Sequence, residues 1–109
     1  MPSSLRPKRG RRPPEAMEII WSPEAQGEVQ AIVAYIADFD PVAARDIRLR
    51  LEAVVLPLAE HPYLFRSGRV LGTRELVVSP NYIIVYRVTD HVRIVSVLHA
   101  RQEYPSPRP

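Results

Sequence analysis

The chain has 109 residues, of which 12 are prolines and none is cysteine, and its formal charge at pH 7 is +3. This length fits one small domain and excludes two independent ones. Without cysteine there is no disulfide framework, thiolate metal cluster or cysteine nucleophile, which fits a cytoplasmic protein. No apolar run approaches the length that spans a bilayer, so no membrane partner is predicted.

The positive charge is concentrated at the amino terminus. Residues 1–16 hold five basic side chains against Glu15 alone, a balance of +4, so residues 17–109 carry about −1. Because this Pro-rich segment has few large apolar side chains, it is predicted to be a disordered tail. It is interpreted either as an extension from a start upstream of Met17 or as a basic arm that contacts phosphates. For the rest of the chain no direct sequence-specific nucleic-acid binding is expected.

Regular patterns begin at Glu18. Residues 18–21 predict a short strand, and Ser22 followed by Pro23 is a typical helix start, with a side-chain cap and a proline at the first helical position. Apolar residues at helical spacing then predict an amphipathic helix to about residue 38. Asp40 followed by Pro41 starts a second helix to about residue 60, which Pro57 should kink or end.

The second half of the chain has the pattern of a sheet. Three strands are predicted over residues 74–78, 82–88 and 91–99, and the turns between them are two or three residues long. The element order is therefore βααβββ. It predicts an α+β fold, an antiparallel sheet with a two-helix hairpin on one face. The opposite face is expected to be open, and function is expected there.

Few motifs carry chemistry. The three histidines lack metal-ligand spacing, and no phosphate-binding glycine motif or nucleophile elbow is present, so neither metal nor cofactor is predicted. After the tail, however, the chain contains ten arginines and no lysine. Arginine pairs bidentately with carboxylate or phosphate, which suits an acidic partner; the alternative is a solvated face paired with Glu75, Asp90 and Glu103. The candidate binding residues are Arg66, Arg69, Arg74, Arg87 and Arg101.

Several segments, taken in order, resemble the RelE/ParE superfamily of small toxins from type II toxin–antitoxin modules. The resemblance covers residues 17–104 and leaves out the tail and the Pro-rich end at residues 105–109. The segments that carry it are Trp21-Ser22-Pro23-Glu24-Ala25, Tyr35-Ile36-Ala37, Pro41 to Arg45, Gly72-Thr73-Arg74-Glu75-Leu76, Tyr82 to Val88, and Leu98-His99-Ala100-Arg101.

The resemblance implies one of two activities. RelE-like members cut messenger RNA in the ribosome without a metal, whereas ParE-like members inhibit DNA gyrase by binding it. The candidate nuclease residues are Arg74, His99, Arg101 and Tyr104. RelE-like nucleases also have an arginine on the next strand, where this chain has Ile83 on a largely apolar strand face with Val85 and Arg87. Losing one such cation typically costs about 2.7 to 4 kcal/mol of transition-state stabilisation.

This difference favours a ParE-like gyrase inhibitor without catalytic residues, and the ribosome-dependent endoribonuclease remains the alternative. A catalytically silent interaction module is a third possibility. The resemblance also implies a cognate, ParD-like antitoxin. We expect acidic residues of that antitoxin to face Arg66, Arg69, Arg74 or Arg101.

Overall fold

The computed structural model describes residues 16–102 and 104–105. The predicted tail, apart from residue 16, and residues 106–109 lie outside the described residues. The described elements include two α-helices and five strands. Their bounds are β1 Ile19–Trp21, α1 Pro23–Ala37, α2 Pro41–Val54, β2 Arg66–Ser67, β3 Arg74–Ser79, β4 Tyr82–Val88 and β5 Val92–His99.

Both helix starts are confirmed. The Ala25 N–H donates to the Ser22 hydroxyl at 3.0 Å, and a proline follows each N-cap residue. Helix α2 is shorter than predicted, because it ends at Val54 and a 3-10 helix over Leu56–Ala59 replaces its last turn. Pro57 has no N–H to continue the α-helical hydrogen bonding, which explains the change.

The five strands form one sheet in the order β1-β5-β4-β3-β2. The antiparallel pairing of β3, β4 and β5 is confirmed. Strand β1 pairs with β5 in parallel, with Ile19 opposite Val92, so the sheet is mixed. Nearly 70 residues separate these two strands, and a parallel pair needs a long crossover. The sequence pattern missed β2, which pairs with β3 and extends the sheet at the arginine-rich loop.

The helical hairpin packs on one face of the sheet, and the predicted α+β fold is confirmed. The fully buried core residues come from both helices and from β3, β4 and β5. The buried core includes Ala25, Leu51, Leu76, Ile84, Tyr86, Val92 and Ile94, together with Val55 and Leu58 from the segment after α2. No helix in the described part of the chain is long and apolar enough to cross a bilayer.

The opposite face of the sheet, called the far face below, is not open in its centre, and that prediction is wrong. Ile83 is only 6% exposed, and Val85 and Leu98 are buried as well. After β5 the chain reverses through a turn in which the Gln102 N–H donates to the His99 carbonyl at 2.9 Å. This turn starts the return of the chain toward the sheet. Strand periodicity cannot reveal it, because the turn lies beyond the last strand.

Candidate binding surface

Charge is divided unevenly between the two halves of the described chain. Residues 16–60 carry three arginines and eight carboxylates, whereas residues 61–102 and 104–105 carry six arginines and two carboxylates, Glu75 and Asp90. The helical half therefore has a formal charge of −5 and the sheet half of +4. The sheet half of a nearly neutral body therefore carries an excess of positive charge.

Glu75 holds two of the predicted arginines. Its side chain is only 3% exposed. Its Oε2 accepts hydrogen bonds from Arg69 Nε and from the Arg69 backbone N–H, both at 3.0 Å. Its Oε1 accepts a hydrogen bond from Arg66 Nη2 at 3.2 Å. Burial alone would raise the pKa of Glu75, but the bonds and charge of Arg69, with the bond from Arg66, outweigh it and hold the pKa below its usual value. For these two arginines the predicted pairing with Glu75 is confirmed.

Asp90, the second proposed carboxylate, has no arginine partner among the described residues. Asp90 accepts hydrogen bonds from the Thr89 hydroxyl and the His91 ring at 3.2 and 2.8 Å. Glu103 lies outside the described residues.

Arg74 has a structural role. Its Nη1 donates to the Phe65 carbonyl at 2.6 Å, and its guanidinium lies 4.9 Å from the centroid of the Tyr63 ring. On the neighbouring strand the Tyr86 hydroxyl donates to the Pro62 carbonyl at 2.9 Å. The two side chains together fix the segment that leads into β2 against the sheet.

Arg87 and Arg93 stand directly opposite each other on β4 and β5. Both are exposed, and within the described residues neither has a carboxylate within 4.0 Å. Like charges opposite each other destabilise a sheet, so an anionic partner would stabilise this pair. The sequence predicted Arg87 as a binding residue but not Arg93, because only the strand register shows that they are neighbours.

The candidate nuclease residues do not all meet. His99 and Arg101 share the turn after β5, where the Arg101 N–H donates to His99 Nδ1 at 3.2 Å. Arg74 aligns with Ile94, two strands away and five residues before His99, which separates Arg74 from His99 by roughly 15–20 Å. Burial raises the pKa of Tyr104, as do the charges of Glu28 and Glu75, while Arg87 opposes the rise.

Glu28 is a residue whose role the sequence analysis missed. Its Oε1 accepts from the Ser96 hydroxyl and from the Val97 N–H, both at 2.8 Å. These groups lie on the edge of β5 beyond the point where β1 ends, and Ser22 donates to the Val95 carbonyl on the same edge. Glu28 therefore caps an open sheet edge. Helical spacing shows only that it lies off the apolar stripe, so nothing in the sequence predicts this contact.

Among the described residues no group of three or more His, Asp or Glu side chains could hold a metal ion. The chemistry of the surface is therefore that of guanidinium groups, one buried carboxylate, and the apolar side chains beside them.

Comparison with known proteins assigns the family. A family model for the ParE toxin of the type II toxin–antitoxin system parDE matches residues 19–104. The chain is 42% identical over 88 residues to Y4kP of Sinorhizobium fredii, an alignment that covers 80% of this chain and 92% of that protein. It is 41% identical over 86 residues to toxin RelE2 of Caulobacter vibrioides, covering 76% of this chain and 94% of that one.

Solved structures share the fold. The chromosomal ParDE TA system from P. aeruginosa matches with a TM-score of 0.71 and 20% identity, over 78% of this chain and 97% of that one. The E. coli DinJ-YafQ toxin–antitoxin complex matches with a TM-score of 0.52 and 18% identity, over 77% and 92%. With the ordered segments of the sequence and the βααβββ framework, these matches show that the chain belongs to the ParE toxin family of type II toxin–antitoxin systems, within the RelE/ParE superfamily.

Proposed function

We propose that this toxin inhibits DNA gyrase by binding it in the cytoplasm, without chemistry of its own, and that a cognate antitoxin neutralises it. One observation carries the proposal. The strand position at which the resemblance implies a nuclease arginine holds Ile83, which is 6% exposed between the apolar side chains of Val77 and Leu98.

Metal-free RNA cleavage needs a base, a cation and an acid that converge on one phosphate. The Arg74 guanidinium is held by the Phe65 carbonyl and lies far along the sheet from His99. The raised pKa of Tyr104 makes its hydroxyl a weaker general acid at neutral pH. These features support inhibition by docking over phosphodiester cleavage.

A supercoiling assay tests the proposal. Purified full-length toxin is added to gyrase and relaxed plasmid, and both the loss of supercoiling and the amount of cleaved DNA are measured. We expect inhibition or trapped cleavage at micromolar toxin, reversed by the antitoxin. Unchanged supercoiling together with unchanged cleavage would refute gyrase as the target.

The antitoxin is expected to place acidic side chains against Arg66 and Arg101 in the sheet half. Two solved structures with this fold are described as a ParDE system and a toxin–antitoxin complex, which supports such a partner here. Arg66 is 60% exposed and keeps free donors beside Glu75, and Arg101 is exposed in the turn after β5.

Charge reversal tests this interface with the protein encoded beside the toxin gene as the probe. We expect Arg66→Glu and Arg101→Glu each to weaken the complex roughly tenfold, through lost pairing and new repulsion. Arg48→Glu, on the acidic helical half, is the matched control and should bind like the wild type. Equal affinity for all four proteins would show that these arginines do not face the antitoxin.

The alternative is a RelE-like, ribosome-dependent endoribonuclease. It is favoured by 41% identity to a toxin named RelE2 and by the placement of His99 and Arg101 in one turn. In a translating extract this activity would cut messenger RNA, and His99→Ala would abolish the cuts. Arg74→Ala is a less selective test because Arg74 also holds the segment before β2.

A further inference from the structure

The loop between β2 and β3 exposes a leucine that the fold itself does not use. Leu71 is 96% exposed, whereas Leu76 and Leu98 on the adjoining sheet are buried. Single exposed apolar side chains are common on protein surfaces, so exposure alone does not identify a site. The rigidity of the loop and the chemistry around it are what distinguish Leu71.

Hydrogen bonds hold this loop in one conformation. The Gly68 N–H donates to the Thr73 carbonyl at 2.7 Å, and the Thr73 hydroxyl donates to the Val70 carbonyl at 2.6 Å. Gly72 has a φ of +84°, in the left-handed region that favours glycine. Because the loop is fixed before a partner arrives, binding through it requires little further ordering.

Apolar surface continues from Leu71 into a groove of about 260 Å³. Tyr63 and Val88 line this groove together with Leu71, and Tyr63 is itself 61% exposed. The Arg74 guanidinium, stacked on the Tyr63 ring, also lines it. The exposed leucine therefore adjoins a groove that combines two further large apolar side chains with a cation and the polar residues Ser67 and Thr73.

Arg87 supplies a second cation at the border. A Cβ on residue 72 would stand 2.9 Å from Arg87 Nη1, so the glycine leaves the space that this guanidinium occupies. Arg93 lies opposite Arg87, and in the described part of the chain no carboxylate pairs with either. This border is suited to receive a carboxylate from another protein.

We propose that the loop-end surface, formed by Tyr63, Leu71, Arg74, Arg87 and Val88, docks the toxin onto its target protein. The inference rests on the proposed function, in that the toxin acts by binding a protein. The partner surface is an apolar pocket bordered by carboxylates. Leu71 enters that pocket, and a carboxylate pairs with Arg87.

The shape of the surface favours the target over the antitoxin as its occupant. Leu71 projects from a short, rigid loop, and such a projection fits a preformed pocket on a folded protein, where buried anchors dominate affinity. A strand or helix of an antitoxin instead binds along a sheet edge or an extended groove.

The test compares full-length Leu71→Ser with Leu49→Ser, a matched control whose leucine is 55% exposed on α2. Growth arrest on expression, binding to the antitoxin and the urea midpoint of unfolding are measured for each. We expect Leu71→Ser to fold, to bind the antitoxin like the wild type, and to lose growth arrest at expression levels at which the wild type and Leu49→Ser arrest growth. Losing the burial of one leucine should weaken binding to the target roughly ten- to hundred-fold.

Growth arrest by Leu71→Ser equal to that of the wild type would overturn the inference. Loss of antitoxin binding with an unchanged midpoint would also overturn it, because it assigns the loop to the antitoxin. If Leu71→Ser unfolds, Leu71→Ala is used in its place, and a destabilised Leu71→Ala would show that the leucine is structural. Growth arrest is independent of which target is inhibited. Wild-type arrest with undisturbed supercoiling would therefore refute only the gyrase proposal.

Discussion

Replacing Glu75 with glutamine removes one charge from the centre of the arginine cluster and keeps the shape of the side chain. The wild-type carboxylate accepts four hydrogen bonds, three from Arg69 and one from Arg66. A glutamine has one acceptor oxygen, and its NH₂ group would face guanidinium donors. With its oxygen toward the Arg69 N–H and Nε, it keeps two bonds and loses the other two.

The expected loss of stability follows from the two hydrogen bonds that the glutamine cannot accept. A hydrogen bond to a charged group contributes about 1.5–3 kcal/mol, and partial exposure of both arginines reduces this, so Glu75→Gln should lower the free energy of unfolding by about 2–3 kcal/mol at pH 7. For a domain of this size that corresponds to a Tm lower by roughly 10–20 °C.

The loss of stability in Glu75→Gln also depends on pH, and its direction follows from the pKa of Glu75. The pKa of Glu75 is lower in the folded protein than in the unfolded chain. Its stabilisation is therefore complete above the unfolded pKa of about 4.3 and is lost as the pH falls through the folded pKa. Protonated Glu75 resembles glutamine, so the difference between wild type and variant should shrink toward zero in acid.

Urea unfolding at pH 7 and pH 3 measures both effects. Glu52→Gln, an exposed carboxylate on α2 without an ion pair in the described structure, is the control and should change stability by no more than about 0.5 kcal/mol. Equal midpoints for Glu75→Gln and wild type at pH 7, or a difference that persists undiminished at pH 3, would refute the assigned role of the carboxylate.

Three further substitutions test the local structure, each by urea unfolding. Gly68→Ala should destabilise by about 1–3 kcal/mol, because its Cβ would stand 2.2 Å from the Thr73 hydroxyl oxygen; an unchanged midpoint would contradict the loop geometry. Gly27→Ala, in α1 with nothing near the added methyl, should instead stabilise by about 0.5–1 kcal/mol. Ser22→Ala should cost about 1–2 kcal/mol through loss of the helix cap and of the bond to the Val95 carbonyl, and a neutral result would remove that double role.

The parts of the fold that local chemistry specifies were predictable. Ser22-Pro23 and Asp40-Pro41 predicted both helix starts because a cap and the proline after it act within four residues. Strand β4 has the predicted bounds, since turn residues on both sides limit it. Pairing of arginines with carboxylates was predicted only as an alternative. It holds for Arg66 and Arg69, which lie near Glu75 in the sequence.

The features that were missed depend on distant parts of the chain. The hydrogen bonds that Glu28 accepts from Ser96 and Val97 join residues nearly 70 positions apart, and no periodicity within α1 predicts them. The parallel pairing of β1 with β5 likewise depends on where the whole hairpin returns the chain. The position of Arg87 opposite Arg93 depends on the register between β4 and β5. That register shifts between Val85 and Tyr86.

The buried far face also bears on the two activities that the resemblance implies. The face toward the helices carries the core, so a change of activity must act on the other face and its borders. An arginine in place of Ile83 would not be accommodated by itself. Its guanidinium would enter a site that is 6% exposed and flanked by Val77 and Leu98, where an unpaired charge is strongly destabilising. Arg74 would remain committed to the Phe65 carbonyl. An arginine at position 83 therefore requires several changes together, whereas the proposed docking surface depends on single exposed residues such as Leu71.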